Sequence, residues 1–236
     1  MSRSAPRAFA RFTAPVFALF LMLTAVGAQA APLDAISNAD AGSGVREALA
    51  KGADFAVASL GQSNGFLNNS QVKIPLPGYL QKAESGLRMF GMGKQADQLI
   101  ETMNHAAENA VAEAKPILSD AIRRMTLQDA KAILTGGEDS VTQYFKRSTT
   151  EQLTTKFAPI VKAATQKLQL AEQYNKFAGK AASAGLIDQK DADIDSYVTQ
   201  KAMDGLFLMI AEEEKRLRSN PVAAGSALLK KVFGAL

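Results

Sequence analysis

The chain contains no cysteine and only one histidine, His105, among its 236 residues. The absence of cysteine excludes disulfide bonds, thiolate zinc sites, cysteine nucleophiles and lipid attachment through a cysteine. Without disulfides, the stability of the folded chain must come from burial of a hydrophobic core. Because one histidine cannot build a metal constellation, we interpret His105 as a structural side chain and expect no metal or cofactor.

A strong excess of positive charge is also lacking once the N-terminal segment is set apart. The chain has 27 basic and 23 acidic residues, and residues 1–30 contribute three arginines and no acid. The other 206 residues are therefore nearly neutral, with 24 basic and 23 acidic side chains. Nucleic-acid binding needs a clustered basic face, so we expect no nucleic-acid partner and find weak support for peripheral membrane contact.

The first thirty residues have the three parts of a secretory signal peptide. An apolar run over residues 12–26 is followed by the small-x-small pattern Ala28-Gln29-Ala30. The positive start consists of Arg3, Arg7 and Arg11. This pattern predicts cleavage after Ala30, a flexible mature N-terminus over residues 31–42 and a periplasmic location.

An uncleaved membrane anchor is the alternative interpretation of the same residues. It is disfavoured because an apolar run of about 15 residues is shorter than the roughly 20 that a membrane-spanning helix needs. We therefore expect no transmembrane span in the mature chain.

Apolar residues recur at helical spacing along most of the remaining chain. This pattern predicts an all-α fold, with a single compact multi-helix domain over residues 43–236. A further predicted helix passes through Leu99 and ends before Pro116, and residues 178–185 are predicted to form a loop or weak helix. The other predicted helices cover residues 43–60, 77–90, 127–134, 149–171, 194–217 and 222–234.

Two of the predicted helix starts carry a capping-box pattern. Thr126 precedes Asp129, and Ser148 precedes Glu151, each by three residues. Within the predicted 149–171 helix, Pro159 should cause a kink or break because proline removes a backbone donor. The basic amphipathic helix over residues 222–234 is expected to dock on the protein's own core, with a partner or a membrane as the alternatives.

One segment departs from the helical pattern and reads NGFLNNSQVKIPLPGY over residues 64–79. Its apolar and polar residues alternate from Gln71 to Leu76, which predicts extended backbone with one buried edge. We predict an ordered, proline-containing connection between helices that lies across the core. The side chains that we propose as a ligand or partner surface on this segment are Asn68, Asn69, Lys73 and Tyr79.

The predicted 194–217 helix carries two acidic residues among apolar neighbours. Residues 202–211 read AMDGLFLMIA, so the helix should be central and Asp204 partly buried. Glu213 lies on an otherwise apolar stripe of the same helix. Both are candidate buried acids that need a cation or several donors. A structural ion pair is the main interpretation and a functional acid the alternative.

Three further patterns resemble functional sites. GMGKQA over residues 91–96 fits G-x-G-x-x-A, but a helical pattern rather than a strand precedes it, so we interpret it as a turn. The acids Asp191, Asp193 and Asp195 start like a calcium loop, but the required glycine and glutamate do not follow. The third pattern is a helical face that we interpret as solvated, formed by Glu101, Asn104, His105 and Glu108.

Four stretches carry a resemblance that covers nearly all of the mature chain: GFLNNSQVKIPLPGYLQKAESGLRMFGMGKQADQL, AAENAVAEAKPI, MTLQDAKAILTGGEDSVTQYF and DSYVTQKAMDGLFLMIAEEEKRLRSNPVA. Together with the terminal LLKKVFG they resemble an exported bacterial family known as domain of unknown function DUF4197. The resemblance implies a mostly helical fold and an envelope location. It supplies neither an activity nor site residues.

Two functions from different classes are open at this point. We prefer a non-enzymatic periplasmic helical protein that binds an envelope protein or a small apolar ligand. The alternative is an envelope hydrolase with an unrecognised Ser, Thr or carboxylate site, which the single histidine and the missing G-x-S-x-G motif disfavour. A cavity above about 300 Å³ lined by Met and Phe would support the first. Converging carboxylates, or a serine with a buried lysine, would support the second.

Overall fold

The computed structural model describes residues 37–185, 193–222 and 226–234. Within these ranges the chain forms nine helices and no strand, which confirms the all-α prediction. The predicted signal peptide and Asp191 lie outside the described residues. The helices are α1 (Asn38–Leu60), α2 (Gly78–Met89), α3 (Gly93–Ala112), α4 (Lys115–Arg124), α5 (Leu127–Thr135), α6 (Ser140–Thr165), α7 (Gln169–Ser183), α8 (Ile194–Ser219) and α9 (Ala227–Phe233).

Helix α1 begins earlier than its apolar pattern predicts. The Ser37 hydroxyl accepts a hydrogen bond from the Asp40 N–H at 3.0 Å and caps the helix. Residues 38–42 are therefore helical, and the prediction that they belong to a flexible N-terminus is wrong. At α5 the predicted capping box of Thr126 and Asp129 is present in both of its hydrogen bonds.

The predicted start of α6 is wrong by nine residues, since the helix begins at Ser140 rather than at 149. Ser148, the expected cap, lies inside the helix and donates its hydroxyl proton to the Tyr144 carbonyl at 2.8 Å. The helix also continues past Pro159 to Thr165 without a break.

The first turn of α6 is stabilised from another helix. Glu214 on α8 accepts hydrogen bonds from the backbone N–H groups of Val141 and Thr142, at 2.9 and 3.0 Å. These N–H groups have no intrahelical acceptor, so a carboxylate supplied by a distant helix satisfies them. No local sequence pattern indicates this cap, because Glu214 lies on a different helix. The predicted start of α6 was therefore wrong.

Two stretches are more helical than the sequence pattern indicated. Pro116 does not end a helix but lies in the first turn of α4, where proline costs no intrahelical hydrogen bond. Residues 178–183 belong to α7, so the weak-helix alternative is the correct one for most of that stretch.

Helix α8 lies at the centre of the domain and packs against α1, α3 and α6. Ala202, Leu206 and Ile210 are fully buried on it, which confirms the predicted central helix. Apolar residues surround most of its circumference because helices cover it on several sides. None of the helices in the described ranges is long and apolar enough to cross a membrane.

Helix α9 docks on the protein's own core, along α1. Leu229, Val232 and Phe233 are buried there. The Lys231 ammonium group also lies 2.7 Å from the Asp40 carboxylate of α1. The C-terminal helix is therefore part of the domain.

The connection between α1 and α2, residues 62–77, is called the strap below. It passes through turns as far as Val72 and is extended over residues 73–77. Val72, Ile74 and Leu76 are buried, whereas Gln71, Lys73 and Pro75 are exposed. This alternation confirms the predicted buried edge of a proline-containing segment, although the extended backbone begins at Lys73 rather than at Gln71.

Candidate functional site

The strap is fixed to α3 by the buried carboxylate of Glu108. One carboxylate oxygen accepts hydrogen bonds from the N–H groups of Phe66 and Leu67, at 3.0 and 3.2 Å. The other accepts from the Asn64 N–H at 3.1 Å. Glu108 is 3% exposed, so these charge-assisted bonds replace its contacts with water and fix the turn above it.

A second anchor lies one helical turn earlier on α3. Asn104 is fully buried, accepts the Ile74 N–H at 2.8 Å and donates to the Ile74 carbonyl at 2.9 Å. The sequence pattern led us to interpret the α3 face that carries these residues as solvated. That interpretation is wrong for Asn104 and Glu108. Helical spacing shows that the residues share a face, but the strap that covers the face comes from another part of the chain.

His105 extends the Glu108 anchor toward the surface. Its Nδ1 lies 2.7 Å from a Glu108 carboxylate oxygen, and its Nε2 lies 3.7 Å from Glu101. The hydrogen bond with Glu108 raises the pKa of His105, with smaller contributions from the charges of both acids, against an opposing effect of burial. The ring is 38% exposed and has the structural surroundings expected from the sequence.

The proposed strap surface is only partly assembled. Asn68 and Lys73 are exposed. Asn69 shapes the strap instead, because its side-chain oxygen accepts the Gln71 N–H at 3.1 Å and its carbonyl accepts the Lys73 N–H at 2.8 Å. Tyr79 is the second residue of α2, and its side chain lies outside the described part of the structure.

The predicted burial of Asp204 is wrong, since its side chain is 53% exposed. It accepts a hydrogen bond from Gln200 at 2.8 Å, on the side of α8 that other helices leave open. The structure does bring Asp204 near Lys73, because both line a small groove of about 150 Å³ between the strap and α8. The sequence suggested each residue separately and not their proximity.

Glu213 is buried and forms a structural ion pair. Its carboxylate accepts two hydrogen bonds from the Arg216 guanidinium, at 2.6 and 2.7 Å. The neighbouring Glu214, which sequence reasoning missed, is also buried and bonds Arg218 at 3.1 Å in addition to the first turn of α6. These donors give both acids a structural role.

A larger groove lies between α6 and α8, with a volume of about 410 Å³. This α6–α8 groove was not predicted, because it depends on how two distant helices pack against each other. Its walls come from the middle of α6 and the first half of α8. The lining residues are Thr154, Ala158, Pro159, Lys162, Asp195, Ser196, Thr199, Gln200 and Met203.

One polar group on the wall of the α6–α8 groove lacks a partner. Thr199 is 4% exposed, and its hydroxyl is a buried side-chain group without a hydrogen bond to any described residue. Unpaired buried hydroxyls are rare in folded proteins because they lose water without compensation. The Thr199 hydroxyl is thus a buried polar group beside the groove whose hydrogen-bonding capacity no described residue uses.

The two ends of the α6–α8 groove differ in chemistry. At one end the Thr165 hydroxyl donates a hydrogen bond to the Asp195 carboxylate, next to Lys162. At the other end the Thr154 hydroxyl lies 3.3 Å from the sulfur of Met203. Helices α6 and α8 therefore run antiparallel along the groove. The lining residues at one end are charged, and those at the other end are uncharged.

The most exposed large apolar side chains of the described residues lie elsewhere, at the end of α2. Met89 and Phe90 are 82% and 83% exposed. They precede Gly91, whose φ of 79° lies in the left-handed region and turns the chain toward α3. The first two residues of GMGKQA, Gly91 and Met92, form the predicted turn between helices, whereas residues 93–96 already belong to α3. No described His, Asp or Glu residues form a group of three that could hold a metal ion.

These features define an all-α protein with an anchored strap and a groove between its two longest helices. Residues 35–234 match the family model described as Protein of unknown function (DUF4197). The chain therefore belongs to the DUF4197 family, in agreement with the resemblance of its sequence stretches. No curated protein and no solved structure matches the chain.

Proposed function

We propose that this protein is a non-enzymatic binding protein of the bacterial envelope that holds a small apolar molecule in the α6–α8 groove. The volume of the groove, about 410 Å³, carries the proposal. Pockets that bind small molecules measure about 300–1,000 Å³. The groove thus exceeds the volume of about 300 Å³ that the sequence analysis set as support for a binding protein. Its wall contains Met203 but no phenylalanine.

The middle of the groove suits an apolar ligand. Ala158, Pro159 and Met203 present apolar atoms there. Covering such surface is favourable by about 25 cal/mol per Å² of apolar area removed from water. The flexible thioether of Met203 can also adapt to ligands of different shape.

An envelope location is part of this proposal. It is supported by the signal-peptide pattern of residues 1–30 and by the family match, which begins at residue 35, beyond the predicted cleavage site. Cell fractionation with N-terminal sequencing tests it. We expect a periplasmic protein that begins at Ala31, and a cytoplasmic protein that retains residues 1–30 would contradict this location.

A pair of matched tryptophan variants tests the groove. Ala158→Trp places a large ring in the groove, whereas Ala163→Trp places the same ring on an exposed position of α6 outside it. Binding is measured with the uncharged fluorescent probe phenylnaphthylamine, and native mass spectrometry of the wild type from periplasmic extract seeks a co-purifying ligand. We expect Ala158→Trp to lose at least about tenfold in probe affinity, a loss of about 1.4 kcal/mol.

Circular dichroism and thermal unfolding establish that both tryptophan variants are folded. If the folded Ala158→Trp and Ala163→Trp variants bind the probe equally well, the groove is not the binding site. If the wild type binds neither probe nor natural ligand, the proposed function is wrong.

A second candidate function is docking of an envelope protein on the tip formed by Met89 and Phe90. The observation that favours it is the exposure of these two apolar side chains, each above four-fifths. The double variant Met89→Ser with Phe90→Ser should lose any partner captured by in-cell crosslinking, while phenylnaphthylamine binding is retained. An unchanged crosslinking pattern would remove this candidate.

The alternative of an envelope hydrolase has less support. The groove contains Ser196, but the Ser196 hydroxyl donates to Asp193 at 2.8 Å as part of the α8 cap. Lys162, the lysine that lines the same groove, is exposed rather than buried. A serine that is activated by a buried lysine would need a different arrangement.

A further inference from the structure

We infer that the α6–α8 groove takes an amphipathic carboxylate, with the carboxylate at Lys162 and the apolar chain directed toward Met203. This inference rests on the proposed function, since it names the ligand class of the same groove. It follows from three observations: the direction of the groove, the balance of charge at its ends and the apolar surface between them.

The direction of the groove is set by the antiparallel helices. Lys162 and Asp195 line one end, and Thr154 and Met203 line the other. Lys162 and Thr154 are eight residues apart on α6, which corresponds to about 12 Å along the helix. A ligand that follows the groove therefore has distinct ends, and a linear molecule fits this shape.

The charged end holds one ammonium group, that of Lys162, and one carboxylate, that of Asp195. Lys162 is exposed and forms no ion pair with any described residue. The nearby Asp195 carboxylate keeps its negative charge, but it accepts the Thr165 hydroxyl and lies in the first turn of α8, where the helix dipole stabilises it. Lys162 has no such partner among the described residues, so it is the group at this end that can pair with an anionic ligand.

The opposite end offers no partner for a charge. The Thr154 hydroxyl donates to the Thr150 carbonyl at 2.8 Å, and its other close neighbour is the sulfur of Met203. Ala158 and Pro159 lie between the two ends. A charged group placed here would lose water without gaining a counter-ion, so this end suits a hydrocarbon chain.

The experiment compares decanoate, decanol and decylamine, which have the same chain length but different polar head groups. Each ligand is used below its critical micelle concentration. Each displaces phenylnaphthylamine from the wild type, from Lys162→Glu and from the control Lys167→Glu, an exposed lysine outside the groove lining. An ion pair at a partly exposed site changes affinity by roughly threefold or more. We expect the wild type and Lys167→Glu to prefer decanoate over decylamine by that factor, and Lys162→Glu to reverse the order.

Equal affinity of the wild type for the three ligands would overturn the inference, and so would an unchanged order in Lys162→Glu. In either case the proposed function still stands if Ala158→Trp abolishes binding of the uncharged probe. Failure of the wild type to bind the probe or any of the three ligands would instead overturn the proposed function and this inference together.

Discussion

The side chain of Asn104 hydrogen-bonds both the N–H and the carbonyl of Ile74, at 2.8 and 2.9 Å. A side-chain amide thus takes the place that a neighbouring β-strand would occupy beside an extended segment. The pairing explains how one short extended stretch persists in a helical domain. The backbone polar groups of Ile74 are buried, and Asn104 satisfies them.

Asn104→Leu is expected to destabilise the protein by roughly 2–4 kcal/mol, because it leaves two buried backbone groups of Ile74 without partners. Chemical denaturation measures the loss. Asn109→Leu is the matched control, since Asn109 is exposed on the same helix and should change stability by less than about 0.5 kcal/mol. Equal losses in the two variants would show that the hydrogen bonds to Ile74 do not matter.

Glu108→Gln should loosen the first half of the strap. An amide oxygen accepts hydrogen bonds less strongly than a carboxylate, and the amide NH₂ group cannot accept the backbone N–H groups of Asn64, Phe66 and Leu67. We expect a loss of roughly 1–3 kcal/mol. Hydrogen exchange should become faster at Phe66 and Leu67, and exchange that stays as slow as in the wild type would contradict this role.

The control for that measurement is Glu113→Gln. Glu113 is exposed on the surface and pairs with Lys156 at 3.1 Å, a kind of contact that contributes about 0–1 kcal/mol. Its substitution should leave exchange in the strap unchanged.

The pair of His105 and Glu108 makes stability depend on pH. Folding raises the pKa of His105 above its ordinary value of 6.5, chiefly through the hydrogen bond with Glu108. The stabilisation is therefore complete below pH 6.5 and is lost as the pH rises through the raised pKa. We expect the free energy of unfolding to fall across this window, by a small amount because the ring is partly exposed.

Denaturation curves at a series of pH values test this prediction, with His105→Gln as the comparison. The variant should lose the pH dependence above pH 6.5, because it removes the titrating group. A wild type whose stability is constant or rises through the same window would contradict the assigned pair.

Phe66 requires a glycine at position 205 of α8. A Cβ atom added to Gly205 would lie 2.6 Å from the Phe66 ring and 3.3 Å from Val72. Gly205→Ala should therefore displace the ring and destabilise the protein by roughly 1–3 kcal/mol. Thermal unfolding measures the change.

Gly86→Ala on α2 is the matched control for that substitution. No atom lies within 4 Å of the added Cβ, so the higher helix propensity of alanine should stabilise the protein by up to about 1 kcal/mol. The two changes should thus have opposite signs, and a stabilising Gly205→Ala would refute the close packing on Phe66.

The sequence predicted the features that depend on local pattern. Helical spacing identified the central helix α8, and the alternation around Ile74 identified the extended segment, because each pattern reflects which face of a short stretch is buried. The sequence also indicated Glu213 as a buried acid, since it interrupts an apolar stripe.

The sequence could not predict which distant residues meet. Glu108 and Asp204 were assigned to the wrong environments, because their burial depends on what covers each helix. The start of α6 depends on Glu214, 73 residues away from the N–H that it accepts. The groove was missed for the same reason, because its walls come from two helices that are distant in sequence.

The anchors of the strap hold its backbone and not its outward side chains. Asn104 and Glu108 bind N–H and carbonyl groups, which every residue except proline supplies in full. Replacement of Gln71 or Lys73 therefore changes what the strap presents to solvent without changing its path. The path of the strap is thus independent of the side chains that it presents to solvent.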